Sequence, residues 1–343
     1  MTSIRLLACS ALALLSLTAT AAAAAVPQNP KRPPKPVRVD VATVKRLFGN
    51  DPTVEPVDNP LTPEKVALGK ALYHDQSLSK NGNLSCASCH DLANYGVDNK
   101  RVSPGSTQQD GERNTPTVYN AFRQFAQFWD GRAKNVEEQS TGPMTNAVEH
   151  GLDDEAELVA KLKAKPELVA GFQKAFPDAA EPVSVQNFQL AVGAFERTLV
   201  TKSRFDKFLD GDQRALTNEE KQGLNDFMQV GCITCHTTRL LGGHMYQKSG
   251  LLAPYPSEDP GRAKITGNDF EKGFFKVPQL LNVEKTAPYY HDGKVATLEE
   301  AVQKMAKLQL GKDLTDEQTA SIVAFLKALT GELPEEFAPK KPQ

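Results

Sequence analysis

The chain has 343 residues, and its 40 Lys+Arg against 42 Asp+Glu give a formal net charge of −2. That balance excludes a generally basic nucleic-acid binder, and the length is sufficient for two domains with cores of their own.

From the amino terminus, Arg5 precedes an apolar run from Leu6 to Leu17, followed by Thr18-Ala19-Thr20 and alanines up to Ala25. A charged start, a short apolar middle and a small-residue end are the parts of a secretory signal, so residues 1–25 are expected to be removed and the mature chain to begin near Val26. Cys9 lies in that segment and is expected to leave with it. Nothing further along approaches the roughly 20 apolar residues that cross a bilayer. The mature protein is therefore expected to be soluble in a bacterial periplasm and not an integral membrane protein. Residues 26–60 form a leader and N-terminal segment that opens with five prolines between Pro27 and Pro36, a composition of extended or unstructured chain.

Three segments then begin alike: Leu61-Thr62-Pro63-Glu64, Leu216-Thr217-Asn218-Glu219 and Leu314-Thr315-Asp316-Glu317. Each puts Thr at a helix N-cap, and Glu220 and Gln318 complete capping boxes in the last two. A further helix, 185–200, carries Phe188, Ala191, Val192, Phe195 and Leu199 on one face, and the last helix carries Ile322, Phe325, Leu326 and Leu329, with Gly331 as its stop.

The first two of these helices lead into Cys86-Ala87-Ser88-Cys89-His90 and Cys232-Ile233-Thr234-Cys235-His236. Two residues between thiols let both sulfurs reach the two vinyl groups of one porphyrin, and the adjacent imidazole can turn onto the iron. Paired Cys-x-x-Cys halves of a zinc ribbon stand roughly 15–20 residues apart, far closer than these, and a thiol redox pair has no use for a repeated histidine. The motifs therefore predict two covalent haem c groups. Strand-like alternation is scarce, so the predicted fold class is all-α: two tandem cytochrome c-like domains, 61–200 and 201–343, with long functional loops. The last helix is a candidate to pack back across the boundary.

With these residues in view, the chain resembles the bacterial dihaem cytochrome c peroxidases from about Leu61 to about Leu329. The likeness is carried by Leu68-Gly69-Lys70-Ala71-Leu72-Tyr73, both haem motifs, Arg113-Asn114-Thr115-Pro116-Thr117, Gln127-Phe128-Trp129-Asp130-Gly131-Arg132, Phe195-Glu196-Arg197-Thr198-Leu199 and Ala287-Pro288-Tyr289-Tyr290-His291-Asp292-Gly293. The resemblance implies hydrogen-peroxide reduction at a low-potential amino-terminal haem. It implies a high-potential carboxy-terminal haem fed by a small cytochrome c or cupredoxin, and a homodimer. Met305 stands where the family's axial methionine stands, with Met228 and Met245 as rivals; thioether ligation favours ferrous iron. Glu149 falls at the catalytic glutamate, with Gln139 its polar companion, and Trp129 matches the tryptophan between the haems. Asn114, Thr286 and Pro288 correspond to oxygen donors for Ca²⁺.

Two departures follow. Many family members close the resting peroxidatic iron with a histidine, but the matching position in Arg101-Val102-Ser103-Pro104-Gly105-Ser106-Thr107 is Ser106, so activity is expected without prior reduction and a histidine at 106 is expected to restore the gate. His150 follows Glu149 where the family has methionine; it is open between assisting proton transfer, tuning Glu149, ligating iron and a structural role. His74 and His244 read as structural, and His291 as ordering the second haem and the calcium loop. Two other functions compete: a dihaem oxidase that modifies a partner protein, whose known example has tyrosine in place of the axial methionine, and a plain electron carrier.

Overall fold

Residues 36–54 and 57–339 are described in the computed structural model of the chain. The expected signal segment, Cys9 and nearly all of the Pro27–Pro36 stretch lie outside the described residues. In chain order the elements are α1 (Val41–Phe48), α2 (Pro63–His74), α3 (Cys86–Cys89), α4 (Val136–Gln139), α5 (Gly142–Thr145), α6 (Glu155–Lys163), α7 (Pro166–Ala175), α8 (Val185–Glu196), β1 (Lys202–Ser203), α9 (Arg204–Leu209), α10 (Asn218–Val230), β2 (Tyr246–Lys248), α11 (Ala263–Thr266), β3 (Phe274–Lys276), α12 (Leu298–Leu310), α13 (Asp316–Lys327) and β4 (Gly331–Glu332). Among the described residues the named strands form only two antiparallel pairs, β1 with β4 and β2 with β3. The fold is helix-rich with little sheet.

Threonine starts α2, α10 and α13 as the sequence pattern predicts. The hydroxyls of Thr62, Thr217 and Thr315 each accept from the N–H three residues on, and Glu220 and Gln318 return the bond to the threonine N–H. Such caps are worth about 1 kcal/mol each. α13 ends at Lys327 with Ala328 as its cap, so Gly331 is not the stop; it opens β4 and pairs with Ser203.

One packing device occurs twice. In α2, a β-carbon on Gly69 would lie 2.0 Å from Ala191 O and 2.8 Å from Phe195 Cβ of α8; in α10, one on Gly223 would lie 1.8 Å from Ser321 O and 2.9 Å from Phe325 Cβ of α13. Only glycine lets these helix pairs meet backbone to backbone. In both pairs the glycine helix runs toward a haem motif, and its partner presents a phenylalanine four residues past the contact.

Each pair carries its own core. Around α10 and α13 sit Phe205, Phe208, Phe227 and Phe325, joined by Val44 and Phe48 of α1. Around α2 and α8 sit Leu68, Leu72, Phe172, Phe188 and Ala191. A third cluster of Tyr73, Tyr119, Phe195 and Leu199 receives Leu333 and Phe337 from beyond α13. Two flanking segments are thus exchanged: α1 docks on the carboxy-terminal core, while Leu333 and Phe337 after α13 return to the amino-terminal one. Val37 onward forms one compact unit. Among the described residues no helix is long and apolar enough to cross a membrane.

Candidate active site

Each cysteine motif is a single tight turn. His90 N–H donates to Cys86 O (2.9 Å) and His236 N–H to Cys232 O (3.0 Å), which gathers positions i, i+3 and i+4, both thiols and the imidazole, on one side. The first turn is fixed by Ser85, whose N–H donates to Ser88 Oγ (3.0 Å). The second follows α10, where Gly231 takes the left-handed conformation (φ +105°) and turns the chain. His236 Nδ1 lies 2.8 Å from Leu241 O and His90 Nδ1 lies 3.3 Å from Gly96 O. A carbonyl only accepts, so Nδ1 carries the proton in both rings and Nε2 keeps its lone pair for a metal. Burial lowers both imidazole pKa values, His236 to about 4, and the neutral ring is the form that ligates. All four thiols are free. The first motif borders a cavity of about 460 Å³ and the second one of about 240 Å³. Thiols, lone pairs and cavities together fit covalent haem at both motifs.

The smaller cavity is largely apolar, walled by Phe227 of α10 and by Leu298, Val302 and Met305 of α12. Of the three methionines weighed as ligands, Met305 lines this cavity with His236, and Met228 and Met245 do not. Met228 packs against the carboxy-terminal core instead.

The larger cavity holds ionisable groups. Glu149, His150 and Glu196 line it with His90, and Gln139 projects from α4 onto it. Glu149 Oε1 accepts from Asn146 Nδ2 at 2.9 Å. Burial nevertheless holds this carboxyl above its usual range, against the opposing pull of Arg132 and Asn146. His150 is 4% exposed, with Nδ1 enclosed and without a hydrogen-bond partner among the described residues; burial, with His90 nearby, pushes it down to about 4, so it is neutral. Glu196 of α8 is buried, and burial with Glu137 close by pushes its carboxyl up to about 8.

Ser106 is not on either cavity. Its hydroxyl accepts from Asn81 N–H (3.0 Å) and donates to Asn83 Oδ1 (2.8 Å). Its N–H donates to Glu149 O (2.7 Å), and its carbonyl accepts from Asn81 Nδ2 (2.9 Å) and Asn83 Nδ2 (3.1 Å). Beside it, a β-carbon on Gly105 would lie 2.3 Å from Val148 O. The loop is bound flat against the Glu149 segment.

Asn114, Thr115, Pro116, Thr117, Phe128 and Trp129 line both cavities and form the wall between them. Trp129 is held at both ends: Nε1–H donates to Asn114 O (2.8 Å), and its carbonyl accepts Lys276 N–H (2.7 Å). Arg113 braces the wall, paired with Asp130 (2.6 Å) and Asp259 (2.6 Å). Asn114, Thr286 and Pro288 all face the second cavity. Asn114 spends Nδ2 on Lys100 O (2.9 Å), while its Oδ1 and the carbonyls of Thr286 and Pro288 accept no hydrogen bond among the described residues. Three free oxygens suit a hard cation. His291 stacks on Phe275 (4.1 Å), meets Ser257 Oγ (2.8 Å) and accepts Asn114 N–H on its carbonyl (2.8 Å). His74 bonds Lys70 O, and His244 bonds Thr237 Oγ1, the residue next to His236.

Sequence reading did not single out Glu196, Arg132 or Lys276. Glu196 carried a signal, since it extends the apolar stripe of α8 four residues past Val192. Lys276 carried one as well, set within Phe274-Phe275-Lys276-Val277.

A family model of the di-haem cytochrome c peroxidases matches residues 63–214. The chain is 43% identical over 296 residues to cytochrome c551 peroxidase of Nitrosomonas europaea, covering 84% of this chain and 87% of that one. It is 44% identical over 282 residues to cytochrome c551 peroxidase of Pseudomonas aeruginosa, covering 80% and 81%. The crystal structure of a MauG-like protein associated with microbial copper homeostasis matches with a TM-score of 0.74 at 31% identity, covering 83% of this chain and 95% of the other.

Proposed function

This chain belongs to the di-haem cytochrome c peroxidase family, and from that premise we propose that it reduces hydrogen peroxide in the periplasm. Two electrons from a small cytochrome c or cupredoxin and two protons convert each peroxide to two waters. The haem c groups supply, when bound, an iron for O–O cleavage at His90 and a thioether-ligated iron at His236 that takes electrons one at a time.

Cys86 and Cys89 tether the first group, and Cys232 and Cys235 the second, within the two tandem domains 61–200 and 201–343. Glu149 accepts the proton of the near peroxide oxygen and returns it to the leaving one, so that water departs. Its enclosure and its bond from Asn146 support that role, and Gln139 on the same cavity orients the substrate. His150 adds a neutral imidazole to the same cavity. Trp129 lies in the wall common to both cavities, which supports electron passage through it. The free oxygens of Asn114, Thr286 and Pro288 support Ca²⁺ at the junction, and the family resemblance supports a homodimer. Ser106, bound to Asn81 and Asn83, leaves the amino-terminal iron without a histidine from that loop, so turnover starts from the oxidised enzyme.

The observation that carries the reading is the asymmetry of two cavities with a common wall: a carboxyl, an imidazole and an amide on one, a methionine on the other. The test is single-turnover mixing of the fully oxidised protein with peroxide, followed by turnover with reduced cytochrome c. Stoichiometric donor oxidation, two electrons per peroxide and no lag, is expected. Spectral silence toward peroxide in both the oxidised and the half-reduced protein, at full haem content, would reduce the protein to an electron carrier. Oxidation of a partner protein in place of donor turnover would favour the activity of the MauG-like relatives.

A further inference from the structure

Lys276 is a buried cation without an anion. It is 7% exposed, lies on β3 and lines the second cavity. Among the described residues its ammonium has one hydrogen-bond partner, the neutral amide oxygen of Gln124, and no carboxylate pairs with it. Burial alone pushes its pKa down to about 7. Gln124 and Gln279 on the same cavity are buried too, and among the described residues no donor reaches the enclosed Gln279 Oε1. An ammonium at this depth costs several kcal/mol unless a counter-charge joins it. The cavity that holds it is also the one bordered by Cys232, Cys235, His236 and Met305, and a haem brings two propionates.

We propose that Lys276 is the counter-charge of a propionate on the second haem, that it sets this haem's potential, and that it holds the carboxylate edge at the strand bonded to Trp129. This rests on the reading that a haem occupies the second cavity. A carboxylate beside the ammonium offsets its desolvation and keeps it protonated. The paired propionate then no longer stabilises ferric iron as a free anion would. Lys276 is a positioning residue, acting through the propionate and through its N–H bond to the Trp129 carbonyl (2.7 Å).

The test is the midpoint potential of each haem in the full-length holoprotein, by spectroelectrochemistry, for Lys276→Met and Lys276→Arg. Lys276→Met is expected to weaken the ferrous preference of the second haem about tenfold, a fall of about 59 mV for a one-electron couple, with a smaller change at the first haem. Lys276→Arg is expected to keep the potential near wild type. If Lys276→Met does not fold, Lys276→Gln, which keeps a donor and no charge, is read in the same way. An unchanged potential in the uncharged variant, while Met305→His still shifts the second haem, overturns the proposal and leaves the haem in place. If neither substitution moves any potential, the haem reading of this cavity fails as well.

Discussion

Ser106→His separates a vacancy from a locked loop. If the amino-terminal iron is open merely because residue 106 has no imidazole, the histidine should restore the gate. The structure argues otherwise. Ser106 is 1% exposed, and its hydroxyl makes two hydrogen bonds, to Asn81 N–H and Asn83 Oδ1. Losing both costs about 1–3 kcal/mol, and forcing a ring into the enclosed position costs about 1–3 kcal/mol more. For the imidazole to reach the iron, the residue must also abandon its bonds to Glu149 O and to the Asn81 and Asn83 amides, about another 1.5–4.5 kcal/mol. The expected outcome is a variant that melts about 5 °C or more below wild type. Its oxidised form should keep a high-spin ferric signal in electron paramagnetic resonance and reduce peroxide without a lag. A variant of wild-type stability with two low-spin haems and a reductive lag would refute the reasoning, since the loop would then be free to move and only the side chain would matter.

Glu149→Gln should lower kcat by roughly 10²–10⁴-fold at unchanged haem content; a loss under twofold removes Glu149 from the chemistry. In the proposed role Glu149 has to be ionised to accept the peroxide proton, and burial raises its pKa. In wild type, kcat/KM should therefore fall as pH drops through a value above the ordinary glutamate pKa of about 4.3, and that limb should vanish in the Gln variant. Met305→His should keep a six-coordinate second haem at a lower potential, because imidazole favours ferric iron more than thioether does; an unchanged spectrum and potential excludes Met305 as ligand. Gly223→Ala drives a β-carbon to 1.8 Å from Ser321 O, so α10 and α13 must part, with an expected loss of at least about 1–3 kcal/mol in urea unfolding; wild-type stability would deny the backbone contact.

Much of this was legible in the sequence because it depends on local chemistry. The spacing within Cys86–His90 and Cys232–His236 reads as serving one porphyrin each, and each motif closes into a turn with its ring's Nδ1 held by a carbonyl. Capping boxes at Thr217 and Thr315 depend on three-residue spacing and form as read. What the sequence hid were relations set by the tertiary fold. Ser106 read as the mere absence of a ligand, whereas five hydrogen bonds make it a clasp. The exchange of flanking segments, α1 onto one core and Phe337 onto the other, has no local pattern.

Charged residues within apolar stretches were the most informative features left unread. Glu196 and Lys276 each interrupt a hydrophobic pattern, and desolvation makes such an interruption expensive unless something repays it. Elsewhere in the fold the repayment is visible: Glu137, 4% exposed, accepts from Arg197 Nε at 2.7 Å and Nη2 at 3.0 Å. Among the described residues Glu196 and Lys276 have no such partner, and each lines one of the two cavities bordered by a haem motif. Among the described residues the chain thus leaves the Glu196 carboxyl and the Lys276 ammonium without a counter-charge beside the two cavities where a cofactor brings charge of its own. A sequence can reveal that a buried charge exists, but its partner becomes legible only when the walls of the cavity it faces are known.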